Sequence, residues 1–210
     1  MRILYIDTTT TYLYTAVVEN EELLCEIKKE YKKDLSSVAL KNISDMLDSI
    51  NLKINDIDKI MVVNGPGSFT GIRIGVTIAK TLAYILNKDI ITVSSLEAMA
   101  LSSKKNTQVV PIIDARRGYV YGAIYDKNNN PILKDQYIKL DTLLLACNNL
   151  IEDYTFIGNS NLVDMEEYSP NILKIVTTYK NRESLNPHLV NPIYLKKTEA
   201  EENKGIELIW

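Results

Sequence analysis

Two aspartates stand where apolar runs stop. Asp7 follows Ile3-Leu4-Tyr5-Ile6 and precedes the hydroxyls of Thr8 to Thr11, and Asp114 follows residues 108–113 and precedes Arg116 and Arg117. A carboxylate ending a buried strand beside hydroxyl groups can position a metal-bound water next to a triphosphate. Two such carboxylates at equivalent strand ends, facing one cleft, would make a magnesium–nucleotide site. The plainer alternative is a pair of aspartates that cap their own turns. A site of this type also calls for a glycine-rich adenosine loop in the second half, and Phe156-Ile157-Gly158-Asn159-Ser160 offers a single glycine.

Gly65-Pro66-Gly67-Ser68-Phe69-Thr70-Gly71 follows one apolar run and opens another, a place where helix N-termini collect phosphates. It is neither a Walker A loop, since no Lys-Ser/Thr follows the last glycine, nor GxGxxG, since Thr70 stands three after Gly67. A tight turn with Ser68 or Thr70 as helix cap accounts for it. Ser68 as a nucleophile would need a base, and the single histidine, His188, lies in a Pro-punctuated loop far along the chain. One histidine also excludes paired-His zinc chemistry, because a zinc peptidase needs at least three protein ligands. Cys25 and Cys147 form no CxxC and read as small buried side chains in a reducing compartment.

These residues must be held by something. The chain has 210 residues, 46% hydrophobic, with a formal net charge of −3. It is long enough for a core, and without an overall basic excess for binding nucleic acid strongly by itself. No signal peptide or membrane-length apolar run is apparent, so a cytoplasmic location is expected. Strands are expected at 3–6, 13–18 and 23–29, the last two a hairpin turning at Glu19–Glu22, then a helix over 35–50 with Asp34 as N-cap. A strand at 59–63, a helix at 70–86, a strand at 89–93 and a helix at 95–103, capped by Ser94 or Ser95, complete the first half. The second half restarts with strands at 108–113, 119–125 and 132–138, then a helix at 141–150, a strand at 155–158 and an apolar run at 172–177. A strand-strand-strand-helix-strand theme thus occurs twice, which predicts an α/β protein of two lobes, 1–103 and a smaller 104–210. The charged tail 196–210 is expected to be mobile unless Ile206–Trp210 docks.

The helix at 70–86 carries more apolar surface than one sheet can cover. Gly71, Gly75, Ala79 and Ala83 form a stripe at i, i+4 spacing, flanked by Ile72 and Val76 on one side and Ile74, Ile78, Leu82 and Ile85 on the other. Gly75 inside a helix costs about 1 kcal/mol, so a close approach is the expected compensation. Either this is a central helix buried within its own lobe, or one flank packs on the sheet while the other meets a second subunit. On the helix at 35–50, Leu35, Ala39, Ile43, Met46, Leu47 and Ile50 share a face.

At these residues the chain resembles the TsaB (YeaZ) family of bacterial tRNA threonylcarbamoyladenosine proteins. The resemblance rests on Ile6-Asp7-Thr8-Thr9-Thr10, on Gly65 through Gly75, on Val93-Ser94-Ser95-Leu96-Glu97-Ala98, on Ile113 through Tyr121 and on Pro192-Ile193-Tyr194-Leu195-Lys196. One departure is Lys33-Asp34-Leu35-Ser36-Ser37, where the family carries a His-Ser pair. The resemblance implies a two-lobe, actin-like ATPase (RNase H-like) fold whose nucleotide machinery has degenerated. It implies a non-catalytic scaffold that pairs with TsaD and recruits TsaE for N6-threonylcarbamoyladenosine formation at A37 of tRNAs reading ANN codons, meets tRNA only through that complex, and forms a homodimer alone. The pairing surface would then include Leu35, Ala39, Ile43, Gly71, Ile74, Gly75, Ile78, Leu82 and Ile85. Asp7, Thr8, Asp114, Arg116 and Arg117 would be vestigial nucleotide or partner contacts. No cofactor of its own and no membrane are expected; ATP and a metal ion would belong to the partners, TsaD holding its metal with a histidine pair this chain lacks. The competing expectation is an active magnesium-ATP enzyme of the actin-like class using Asp7 and Asp114.

Overall fold

The computed structural model describes residues 1–31 and 34–196. The expected docking of Ile206–Trp210 lies outside the described residues, as does Lys33. Among those described are two five-stranded sheets of the same strand order. The first runs β3-β2-β1-β4-β5, from β1 (Arg2–Asp7), β2 (Tyr12–Glu19), β3 (Glu22–Glu30), β4 (Lys59–Val63) and β5 (Asp89–Val93). The second runs β10-β9-β6-β7-β8, from β6 (Gln108–Asp114), β7 (Tyr119–Tyr125), β8 (Pro131–Lys139), β9 (Tyr154–Gly158) and β10 (Glu166–Glu167). In each, an antiparallel hairpin pair flanks a parallel trio, β1-β4-β5 or β6-β9-β10.

The apolar runs of β1 and β4 are continuous rather than alternating because both faces are covered. Leu4, Ile6, Ile60, Val62 and Ile90 pack against α1 (Leu35–Ser49) and α2 (Phe69–Leu86). On the opposite face Ile3, Tyr5, Met61, Val63 and Ile91 pack against Ile172, Ile175 and Val176 of α5 (Ile172–Tyr179). The second sheet packs Val110, Ile112, Val120 and Ile124 on Leu143 and Cys147 of α4 (Leu140–Cys147).

The helices exchange sheets. α3 (Ser95–Ser102) follows the first sheet but sends Leu96, Met99 and Ala100 onto the second, and Ala98 and Leu101 onto the first. α5 follows the second sheet and packs on the first. The segment after it stays there, with Leu185 bridged to Ile90 and the Ile193 N–H donating to the Asn64 carbonyl at 2.8 Å. Arg182 adds a bidentate pair with Glu97 of α3, at 2.8 and 3.0 Å.

Several local expectations change. The apolar run at 172–177 is α5, and β10, two glutamates, carries no apolar signal. Asp34 does sit at the start of α1, but with φ +72° and no side-chain cap bond. Ser68 caps α2 by accepting from Gly71 N–H, and Ser94 and Glu97 form a capping box on α3. By length and composition alone α2 would pass for a membrane span, but its inner face belongs to the first lobe's core. Cys25 and Cys147 are unpaired thiols, half-buried and buried.

Candidate functional site

Asp7 points inward. It is 1% exposed, and its Oδ1 accepts from Thr9 N–H at 2.8 Å and Thr9 Oγ at 2.7 Å, while Oδ2 receives the Tyr5 hydroxyl at 3.5 Å. Burial pushes its carboxyl above the ordinary range, outweighing the opposite pull of those hydrogen bonds. Burial first, and the Asp7 charge second, holds the Tyr5 and Tyr168 phenols far above theirs. Thr8 is fully buried and donates from Oγ1 to the Gly71 carbonyl at 2.7 Å. Asp114 is exposed and its Oδ1 accepts from Arg116 N–H at 2.7 Å. Each aspartate therefore caps its own turn.

The glycine loop is filled from within. The Ser68 N–H donates to the Thr9 carbonyl at 2.8 Å. A Cβ on Gly67 or Gly71 would fall closer than 3.0 Å to the carbonyl oxygen of Thr9 or Thr8 respectively. On the far side, the Asn64 side chain donates to the Asn191 carbonyl at 3.0 Å, which fastens the C-terminal segment beneath the loop. In the second half the space beside Gly158 is taken by the Ile112 carbonyl and the Met165 sulfur. The residues present therefore do not fit a magnesium nucleotide held between both aspartates: Asp7 is enclosed while Asp114 faces solvent, and the glycine positions in both halves are packed by the chain itself. Among the described residues no group of three or more His, Cys, Asp or Glu is placed to hold a metal ion.

The glycine stripe of α2 likewise meets β1. Gly71 and Gly75 pack on the Thr8 carbonyl and hydroxyl, which is the close approach their size requires. Of the nine apolar positions considered for pairing, Ala39, Ile43, Gly71, Gly75 and Ile78 are buried by their own chain. Leu35, Ile74 and Leu82 are half-buried on its rim, and Ile85 is 70% exposed. The outer rim holds one residue the periodicity did not single out, Leu40 at 50% exposure; Tyr84, at 64%, lies on the other side of α2 against His188. Leu40 lies one residue past the buried Ala39, where its type, an apolar side chain on the solvent side, was the available signal. Between α1, α2 and the turn at Ile54–Asp56 runs a groove of about 310 Å³, its lining mostly leucine and isoleucine, Leu40 and Leu82 among them, with Ser44, Asp48 and Lys53.

At the turn joining β6 and β7, Arg116 and Arg117 are exposed with φ of +67° and +55°, followed by Gly118 at +76°. Beside them Tyr119 stacks on Tyr137 at 4.6 Å between centroids, nearly parallel. His188 lies edge-on to Tyr84 at 4.8 Å, with no catalytic partner.

The family model described as TsaD, tRNA N6-adenosine threonylcarbamoyltransferase, matches residues 22–166. A Bacillus subtilis protein named tRNA threonylcarbamoyladenosine biosynthesis protein TsaB is 31% identical, the match covering 96% of each chain. The chain belongs to the TsaB family. An Escherichia coli protein of the same name is 36% identical over a match covering 63% of this chain and 58% of that one. A crystal structure of a Pseudomonas aeruginosa protein, described as similar to peptidase YeaZ, superposes with a TM-score of 0.80 at 20% identity, covering 93% of this chain and 99% of that one. The TsaB fold is thus present over nearly the whole chain, as the two-lobe, actin-like arrangement that the repeated strand order describes.

Proposed function

We propose that the chain acts in threonylcarbamoyladenosine formation on tRNA as a non-catalytic scaffold. In this reading it pairs with TsaD, recruits TsaE in the cytoplasm and supports modification of A37 in tRNAs reading ANN codons. TsaB relatives carry the pathway in their name. The observation that carries the scaffold reading is the rim of α1 and α2: Leu40 stands exposed in the wall of a largely apolar groove and Ile85 is exposed on α2, in a chain that buries its glycines and encloses Asp7. An exposed apolar patch of this kind marks a docking face. The partners supply ATP and metal; this chain supplies the rim. Without TsaD, the same face closes on a second copy.

The test is to mix the chain with TsaD from the same organism and measure mass by size-exclusion chromatography with light scattering. A 1:1 complex, lost in Leu40→Glu or Ile85→Glu while both variants stay folded by circular dichroism, supports the reading. No complex well above micromolar concentration, with TsaE and ATP present, overturns it. Micromolar binding of magnesium-ATP by the isolated chain, lost in Asp7→Ala, would revive an active enzyme.

A further inference from the structure

We infer that the end of the second sheet, around the β6–β7 turn, is a contact surface for unpaired RNA. The inference rests on the pathway reading above but uses a different face from the α1–α2 rim. Tyr119 and Tyr137 are stacked, with Tyr121 inclined to Tyr137 at 5.8 Å, so three half-buried phenol rings cluster on one face of the β7–β8 hairpin. Cations stand over the rings: Lys139 Nζ lies 6.0 Å from the Tyr119 centroid and Lys196 Nζ 5.6 Å from that of Tyr137. Arg116 and Arg117 project from the adjoining turn, where two non-glycine residues in succession hold left-handed backbone. Such strain persists where the surroundings fix it, and it clusters at binding sites. Here the carbonyls of Arg116 and Gly118 are held by Tyr119 N–H and Leu140 N–H at 3.0 and 2.9 Å.

The charge is local. The chain as a whole is acidic, at −3, yet four cations gather here against Asp114, already bonded to Arg116 N–H, and Asp141 in the first turn of α4. Among the described residues none of the four cations is in a salt bridge. Aromatic faces that accept unstacked bases, interleaved with cations that follow phosphates, are the recognition chemistry of single-stranded nucleic acid. A duplex would offer the cations its phosphates but hide its base faces.

The test uses the TsaD complex of this chain and a fluorescent anticodon stem-loop RNA, with anisotropy read over a salt series. Three variants are compared: Arg116→Gln/Arg117→Gln, Tyr137→Ala and the conservative Tyr137→Phe. The glutamine pair should weaken binding and lower the salt slope by about 0.7 per cation removed. Tyr137→Ala should weaken it about tenfold, consistent with loss of one stacked base, and Tyr137→Phe should restore it. The complex itself should form as before in all three. Unchanged affinity and slope in an intact complex would overturn the inference and leave the scaffold reading standing; loss of the complex in the unmutated protein would instead defeat the scaffold reading. Equal affinity for a fully paired RNA of the same length would also overturn it, since stacking would then play no part.

Discussion

Adding one methyl group at Gly71 or Gly75 asks whether the small stripe of α2 serves the chain's own core. Alanine in place of a mid-helix glycine gains about 1 kcal/mol of helix propensity. At Gly71 the new Cβ would meet the Thr8 carbonyl, a backbone atom that no rotamer can move, and would disturb the Thr8 Oγ1 bond to the Gly71 carbonyl. Overpacking costs about 1–3 kcal/mol, and disrupting a buried hydrogen bond about 1–3 more. Net destabilisation for Gly71→Ala is then about 1–5 kcal/mol, a fall in Tm of roughly 2–20 °C for a domain of this size. At Gly75 the obstacle is the Thr8 hydroxyl, a side-chain atom, so Gly75→Ala should cost less, about 0–2 kcal/mol. Made in a Thr8→Ala background, Gly75→Ala should become neutral or stabilising, whereas Gly71→Ala should stay harmful. Thermal unfolding of the three single and two double variants of the isolated chain measures this coupling. A rise in Tm for Gly71→Ala, with weaker TsaD binding, would show that the stripe faces a partner and refute the reasoning.

Other perturbations separate rim from core. Ile85→Glu and Leu40→Glu, at exposed positions, should change unfolding free energy by no more than about 0.5 kcal/mol in urea titration while abolishing association. Asp7 has a raised folded pKa, so its contribution is fully present below the unfolded value near 3.9 and is lost as pH rises through the folded value. Asp7→Asn, which still accepts from Thr9, should therefore gain stability relative to the unmutated chain as pH is raised above about 4; a parallel pH profile for the two would refute the assignment. Arg117→Gly removes a left-handed non-glycine residue and should stabilise by about 1 kcal/mol while weakening RNA binding. Denaturant midpoints and the anisotropy assay read the two effects with opposite signs.

The sheet strands and long helices were legible because burial on two faces leaves continuous apolar runs and α2 repeats its small residues every fourth position. α5 was not, since eight apolar-rich residues fit a buried strand as well as a helix. β10 is made by its neighbour: Glu166 and Glu167 pair with Ile157 and Gly158 without any apolar pattern of their own. The stripe announced a close approach, but Thr8 is 63 residues from Gly71, and periodicity carries no information about so distant a partner. Asp7 and Asp114 look alike as strand ends, and their environments diverge only because Tyr5, Thr9 and neighbouring rings enclose the first. The basic turn at Arg116 was visible as a cluster; its alignment with Tyr137 depends on β8 lying beside β7.

The exchange of helices between sheets sets a timetable for synthesis. A ribosome delivers β1, β2, β4 and β5 first, and the face bearing Ile3, Tyr5, Met61 and Ile91 waits for Ile172, Ile175 and Val176. At ~5–20 residues per second, translating residues 94–171 takes roughly 4–15 s. For that interval the nascent first sheet has only Ala98 and Leu101 of α3 to cover this side, and the rest of its apolar surface stays open. A stop codon before residue 172 would make the vacancy permanent, leaving α3 alone on a sheet face built for α3 and α5 together.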